Sequence, residues 1–359
     1  MSQEIETLRP DSREEVQRRV SDLAERGLGY CVEGLGTRRE YAAPEGDIEV
    51  RLSVSRLDRI ERLDPEDLSC RVQCGLRLGD LLESLREEDL ALESGPFLAP
   101  EARSLGGVFS EAPASPRGFD RGSIRSQLLG LAGLDPRGRA FEAGGRVVKN
   151  VAGYDLMKLF VGGGGAWFTG LELELRLIRR PELSRRLASP RMPVSEALEL
   201  WRSLRPDWIE ARALDLHLQG DGSAIVEMML CGHRRRVEAF AVPDGLSEDE
   251  SAPELWDQWS PHASQEIPTH RGQIPVSGTP TWVESLPPDC RGSIHLQGRY
   301  SLVLAETVAT RGQPSPFDAP PGGMSASAIE LACRLKQGLG GGLAPGRLSF
   351  DTALPGGVV

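Results

Sequence analysis

Apolar positions divide the chain into segments of two periods. Ser12 and Glu15 form a capping box ahead of Val16, Val20 and Leu23, which recur at helical spacing until Gly27, so a capped helix opens the fold. Tyr30 to Glu33 reads as a short strand running into Gly34, and Ile48, Val50, Leu52 and Val54 alternate as another. Arg71 to Cys74 is a further strand, ending at Gly75, and Leu78, Leu81, Leu82 and Leu85 mark the apolar stripe of a second helix. From Ser94 to Gly145 glycines, prolines and small residues break any long period, which predicts dense loops that wrap something.

Leu171, Leu173, Leu175 and Leu177 then alternate with Glu172, Glu174 and Arg176 to give the clearest strand of the chain. The pattern changes near Glu182. Ser195 to Leu204 reads as a helix, Leu214, Leu216 and Leu218 as a strand, and Ala224 to Leu230 as its hairpin partner across Gly220-Asp221-Gly222. Residues 241–290 are rich in Pro, Ser and acids and predict long loops. Ser327 and Glu330 cap a last helix that ends at Lys336 before a glycine run. The elements predict an α+β protein, and its 359 residues exceed one compact core.

Charge narrows the range of partners. A formal net charge of −11 without a long Lys/Arg block repels phosphate backbones, so nucleic acid is a poor candidate partner. The six cysteines are scattered without a CxxC pair, which predicts buried, reduced thiols rather than a zinc or iron–sulfur site. No run of about 18 apolar residues occurs and the N-terminus is polar, so no direct membrane insertion is expected.

Glycine-rich turns turn backbone N–H groups toward one concavity and so bind phosphates. The type of turn decides which. The chain contains no Gly-Lys dipeptide, which excludes a nucleoside triphosphatase P-loop, and Gly34-Leu35-Gly36 continues to Arg39 where a GxGxxG motif needs its third glycine. Several ordered blocks remain. They are Glu33 to Arg38, Ser104-Leu105-Gly106-Gly107, Ser115-Pro116-Arg117 with Arg121 to Arg125, and Gly144-Gly145-Arg146-Val147-Val148-Lys149-Asn150-Val151-Ala152-Gly153-Tyr154-Asp155-Leu156.

Together these blocks resemble the FAD-binding domain of the vanillyl-alcohol oxidase and p-cresol methylhydroxylase type, most closely the FAD-binding subunits of bacterial glycolate oxidases. The match covers about residues 10–182, with a weak echo over Leu335 to Leu348 that contains Ala344-Pro345-Gly346-Arg347. The resemblance implies a two-lobed α+β FAD-binding domain over 1–182, a smaller α+β cap-like domain with long Pro-rich loops over 183–325, and a C-terminal helix and tail over 326–359 that return to the first domain. It also implies that Gly34, Leu35, Gly36, Thr37 and Arg38 hold the FAD pyrophosphate through main-chain donors, with Thr37 adding its hydroxyl. Ser104, Gly106 and Gly107 match a segment passing close to the flavin, and Gly122, Ser123 and Arg125 another, where Arg125 either offsets negative charge or is a solvated surface arginine. Lys149, Asn150, Gly153 and Tyr154 hydrogen-bond the cofactor or fix their loop, with a Tyr154–Asp155 bond as scaffold, and Gly165 lies in the block beside the adenosine half. In that block Phe168 replaces a glycine and Gly163 removes a hydroxyl donor, so the expectation is a narrowed pocket with weaker FAD affinity or none.

Nothing singles out a covalent attachment point, so FAD is expected to bind non-covalently. A flavin enzyme acting on a 2-hydroxy acid needs a clamp for the carboxylate and a base for the hydroxyl proton. Here His217, His233, His262, His270 and His295 never fall in HxH or HxxxH spacing. No catalytic residue and no metal ligand is therefore assigned, and the histidines read as surface or packed residues. Two functions stay open. One is an FAD-binding, non-catalytic or electron-transferring subunit working with a catalytic flavoprotein and an iron–sulfur subunit, cytoplasmic or peripheral at the inner membrane through those partners. The other is a degenerate FAD fold retained for a structural or regulatory role.

Overall fold

A computed structural model describes residues 5–37, 48–95, 97–113, 124–145, 155–204, 211–249, 260–264, 270–273, 279–295 and 299–303. Strand β1 (Glu6–Leu8), the helix Arg13–Glu25, β2 (Tyr30–Glu33) and β3 (Val50–Ser53) open the chain. The three strands are parallel in the order β1-β3-β2. As the central strand, β3 is buried along its whole length, as expected for a parallel strand covered on both faces. The helix starts where Ser12 Oγ accepts from the Glu15 N–H at 3.2 Å, while the Glu15 carboxylate accepts from the Asp11 N–H at 3.2 Å, one residue before the capping-box position. It stops at Gly27, whose φ of +66° suits glycine.

A five-stranded antiparallel sheet follows, in the order β4 (Ile60–Asp64), β5 (Ser69–Gln73), β9 (Thr169–Arg176), β7 (Leu128–Leu134) and β8 (Ala140–Gly144). The short strands β6 (Leu90–Ala91) and β10 (Ile178–Arg179) pair with each other, and the helix Leu78–Glu87 lies between β5 and β6 in the chain. The Leu/Glu alternation of β9 is real, but both of its faces are buried. Leu171, Leu173 and Leu175 enter the core, whereas Glu172 is held by Arg71 at 2.5 Å and Arg13 at 2.7 Å, and Glu174 by Arg62. Paired in this way, the two carboxylates avoid the cost of an uncompensated buried charge.

The segment from Ser94 to Gly145, expected as loops, instead holds the helix Leu105–Glu111 and strands β7 and β8. Its glycines serve close packing as well as turning. A Cβ on Gly133 would sit 2.8 Å from the Thr169 carbonyl oxygen and 3.1 Å from the Phe141 ring, and the register of β7 on β9 shifts beside Gly130 and Gly133.

From Leu183 a second sheet begins. β11 (Leu183–Ala188), β12 (Met192–Pro193), β13 (Ala211–Gln219), β14 (Ser223–Gly232), β15 (Ser247–Glu248), β16 (His270–Gln273), β17 (Arg291–His295) and β18 (Arg299–Val303) form it in the order β15-β11-β14-β13-β17-β18-β16, with β12 on β14. β13 and β14 make the expected hairpin, with Gly220 and Gly222 at φ +79° each. One face packs Leu214, Leu216, Val226 and Ile294 against Trp201 of the helix Val194–Ser203 and Val283 of the helix Thr279–Glu284. On the other face Ala213, Met229 and Cys231 form an apolar cluster with Ala91 and Ile178 of the first lobe. The region 241–290, expected as long loops, contains β15, β16 and the Thr279–Glu284 helix, while residues 326–359 lie outside the described residues.

Leu173 is fully buried at the centre of the first core. Leu173→Ala is expected to lower stability by about 2–5 kcal/mol. Ser12→Ala, which removes only the cap, is expected to cost about 1 kcal/mol. Chemical denaturation of the two variants beside the parent checks the ranking.

Candidate functional site

The helix Leu105–Glu111 organises the first lobe because glycine turns sit at both of its ends. Ser104 Oγ caps it by accepting from the Gly107 N–H at 3.3 Å. Ser104 bridges antiparallel to Arg77, beyond the end of β5, and in the first turn the Leu105 N–H donates to the Leu76 carbonyl at 2.9 Å and the Gly106 N–H to the Cys74 carbonyl at 2.8 Å. A Cβ on Gly106 would lie 2.9 Å from Cys74. The turn after β2 rests on this N-terminal end. A Cβ on Gly34 would overlap the Ser104 hydroxyl and lie 2.7 Å from Ser104 Cβ, so only glycine lets the two segments touch. Ser53 Oγ donates to the Gly34 carbonyl at 3.0 Å, and Thr37 Oγ1 donates to the Ala102 carbonyl at 2.8 Å. The Thr37 hydroxyl, expected as a donor to pyrophosphate, is therefore engaged in holding the turn.

At the other end, the Gly162 N–H donates to the Phe109 carbonyl at 3.2 Å and the Gly164 N–H to the Ser110 carbonyl at 2.9 Å. Gly162, Gly164 and Gly165 have φ of +78°, +59° and +77°, which glycine alone adopts without strain. A Cβ on Gly165 would meet only the Val32 carbonyl oxygen, at 3.7 Å, so this turn reaches back to the strand that feeds the first. A buried ion pair of Arg103 with Glu111 spans the helix.

Three of the expected segments thus gather around one helix: Gly34 to Thr37 touches Ser104 to Gly107 at its start, and the turn containing Gly165, at its end, reaches Val32 of β2. Among the described residues, the main-chain N–H groups of Leu35, Gly36, Thr37 and Gly165 have no hydrogen-bond partner. Unpaired amide donors on adjacent glycine turns fit the oxygens of a diphosphate ester.

Arg125 is placed differently. Its Nη2 donates to both Asp155 carboxylate oxygens, at 2.8 and 2.7 Å, and its Nη1 to the Leu128 carbonyl at 2.9 Å. Neither a solvated surface arginine nor a free counter-charge describes it, because a carboxylate already neutralises it. Asp155, expected to pair with Tyr154, pairs with Arg125. Arg38, Gly122, Ser123, Lys149, Asn150, Gly153 and Tyr154 lie outside the described residues.

Phe168, expected to narrow the cofactor pocket, has its ring packed inside the first lobe. It is 4% exposed, belongs to the first core and meets the Phe141 ring edge-on at 5.1 Å. Gly163 is equally constrained: a side chain there would run into the Leu159 carbonyl oxygen and lie 3.1 Å from Trp167. The departures at 163 and 168 are packing solutions. Cys70 and Cys74 are core residues as expected, and burial pushes the Cys70 thiol up to about 12.

On the second sheet the structure gathers residues that spacing did not reveal. Asp215, His217, Glu227, Ser293 and His295 are buried neighbours on β13, β14 and β17. His295 Nδ1 lies 2.7 Å from Asp215 Oδ1, and His217 Nδ1 lies 2.8 Å from Ser293 Oγ. Burial alone would raise the Glu227 carboxyl, but the His217 imidazole, the Arg186 guanidinium and the Ser260 hydroxyl more than offset it and hold it at about 2. Motif spacing within one segment cannot reveal residues that only sheet register makes adjacent. The signal available was the Asp215-x-His217-x-Gln219 alternation opposite the leucines.

A profile of the FAD binding domain family matches residues 6–144, a stretch that includes the first two turns and stops short of the third. The chain carries an FAD-binding domain of the p-cresol methylhydroxylase type. Its cofactor is FAD, and it is similar to FAD-linked oxidoreductases. Glycolate oxidase subunit GlcD of Bacillus subtilis is 26% identical over 178 residues, covering 50% of this chain and 38% of the relative. Glycolate oxidase subunit GlcE of Escherichia coli is 29% identical over 238 residues, covering 64% of this chain and 61% of the relative. Alkyldihydroxyacetonephosphate synthase shares the fold with a TM-score of 0.54 and 15% identity, over 65% of this chain and 50% of that structure. The matches therefore span between 38% and 61% of the lengths of the two glycolate oxidase subunits.

Gly34→Ala is expected to destabilise the first lobe by about 1–3 kcal/mol through overpacking against Ser104. Gly34→Ala with Ser104→Gly removes the clash at the loss of only a few tenths of a kcal/mol of capping and should recover most of the loss in thermal denaturation. Phe168→Gly is expected to cost about 3–5 kcal/mol and to leave the FAD content of the folded fraction no higher than the parent's. A rise in that content would restore the narrowing role.

Proposed function

We propose that this chain is the FAD-binding, electron-transferring subunit of a complex that oxidises 2-hydroxy acids, of the kind to which glycolate oxidase subunits belong. The observation that carries this reading is the set of unpaired N–H groups at Leu35, Gly36, Thr37 and Gly165, on the turn that follows β2 and on the turn that reaches back to β2. These donors would hold the cofactor's diphosphate, and the glycines beside them would let its backbone contacts close without a Cβ in the way. Bound there, FAD supplies a two-electron centre able to pass electrons singly to a partner. The non-catalytic part of the reading rests on the placement of the histidines. All five follow residue 182, and the described side chains of His217, His233, His262 and His295 are engaged by Ser293, Glu182, Asp249 and Asp215. The first lobe has no imidazole to take a hydroxyl proton.

Under this reading the substrate is oxidised on a catalytic flavoprotein partner, and an iron–sulfur subunit receives the electrons. Residues 1–182 form the cofactor lobe, 183–325 the cap-like part, and the cytoplasm is the site of action. Among the described residues no helix is long and apolar enough to cross a membrane.

The purified chain should be yellow and release intact FAD on acid denaturation, the mark of non-covalent binding. Gly165→Val places a branched side chain at φ +77° and should weaken FAD by roughly tenfold or more, since strain of this kind is worth about 1–3 kcal/mol. A colourless protein that excess FAD fails to reconstitute would instead support the degenerate, structural role. Hydroxy-acid oxidation by the chain alone would overturn the non-catalytic reading.

A further inference from the structure

The cofactor reading leaves the buried polar face of the second sheet unused. Asp215 and His217 lie two apart on β13, Glu227 is the register partner of Asp215 on β14, and His295 and Ser293 stand opposite Asp215 and His217 on β17. Asp215 is 2% exposed, His217 1% and Glu227 4%. Two carboxylates removed from water need compensating positive charge. Among the described residues Arg186, 3.2 Å from Glu227, is the one guanidinium that pairs with either of them.

His217 is held by its other nitrogen. Nδ1 meets Ser293 Oγ at 2.8 Å, which leaves Nε2 buried, without a hydrogen-bond partner, and 3.9 Å from Glu227 Oε1. That gap is too long for a hydrogen bond. It suits two ligands of one ion, each bonded at about 2.0–2.2 Å. One ligand atom from each of Asp215, His217 and Glu227 lies within 4.8 Å of the others.

We propose that Asp215, His217 and Glu227 bind a divalent cation of the zinc or manganese class, joining β13 to β14. One imidazole nitrogen and two carboxylates make a mixed N/O donor set of the type such ions take. The surrounding contacts are those of a built site. Ser293 orients the His217 ring, His295 Nδ1 holds Asp215 Oδ1 at 2.7 Å, and Ser260 donates to the second Glu227 oxygen at 2.5 Å. A neighbouring set of Glu227, Asp249 and His262 is less suited, because His262 Nε2 is already bonded to Asp249 at 2.7 Å.

The test uses the full chain with whatever flavin it carries, stripped of metal by a chelator and titrated calorimetrically with Zn²⁺ and, separately, Mn²⁺. One ion should bind per chain. His217→Gln should weaken it at least a hundredfold with flavin content and circular dichroism unchanged, and His262→Gln should leave it as in the parent. Ser293→Ala, which only orients the ligand, should weaken it about 10–100-fold and serves in place of His217→Gln if that variant fails to fold. The proposal is overturned if neither metal binds stoichiometrically, if His217→Gln or its substitute binds like the parent, or if His262→Gln is the variant that loses the ion.

Discussion

The contact of Gly34 with Ser104 is the constraint on which the first lobe depends. Because Gly34 has no Cβ, the turn after β2 can lie on the residue that caps the Leu105–Glu111 helix, so one seryl side chain both starts a helix and seats a turn. The same helix receives the Gly162 and Gly164 amides on its last carbonyls, groups a helix otherwise leaves unsatisfied. Two loops more than a hundred residues apart in the chain are thereby brought beside one short helix. Their remaining amides have no protein partner, and this is the form of anion site that needs no charged side chain.

The two sheets bury carboxylates in different ways. In the first, Glu172 and Glu174 of β9 are answered by Arg13, Arg71 and Arg62, so charge is balanced by side chains from a helix and two neighbouring strands. In the second, Asp215 and Glu227 face imidazoles and hydroxyls, with Arg186 as their guanidinium partner. The first arrangement closes as an ion-pair ladder. The second leaves the Nε2 atoms of His217 and His295 buried without a hydrogen bond, and an imidazole nitrogen, unlike a guanidinium, can ligate an ion.

Much of this architecture was legible from periodicity. The capped first helix, the strands around Tyr30, Val50 and Leu173, and the β13–β14 hairpin each carry a local signal that tertiary packing did not override. Where glycine does two jobs the reading failed. In Leu128–Leu134 and Leu105–Glu111 the glycines mark close approach inside a strand and a helix, yet in sequence they look like loop breakers. The resemblance located the turns, but Thr37, Arg125 and Phe168 turned out to be spent on a carbonyl, a carboxylate and a ring, partners that only the fold supplies. The Asp215–His217–Glu227 cluster was illegible for the same reason, since the register of β14 on β13 assembles it.

Hydrogen exchange of the backbone, followed by mass spectrometry with and without FAD, bears most directly on the central claim. Peptides containing residues 35–37 and residue 165 are predicted to slow together as FAD saturates the protein, because their amides become donors to the ligand. FAD binding that leaves exchange in both peptides unchanged would contradict the account.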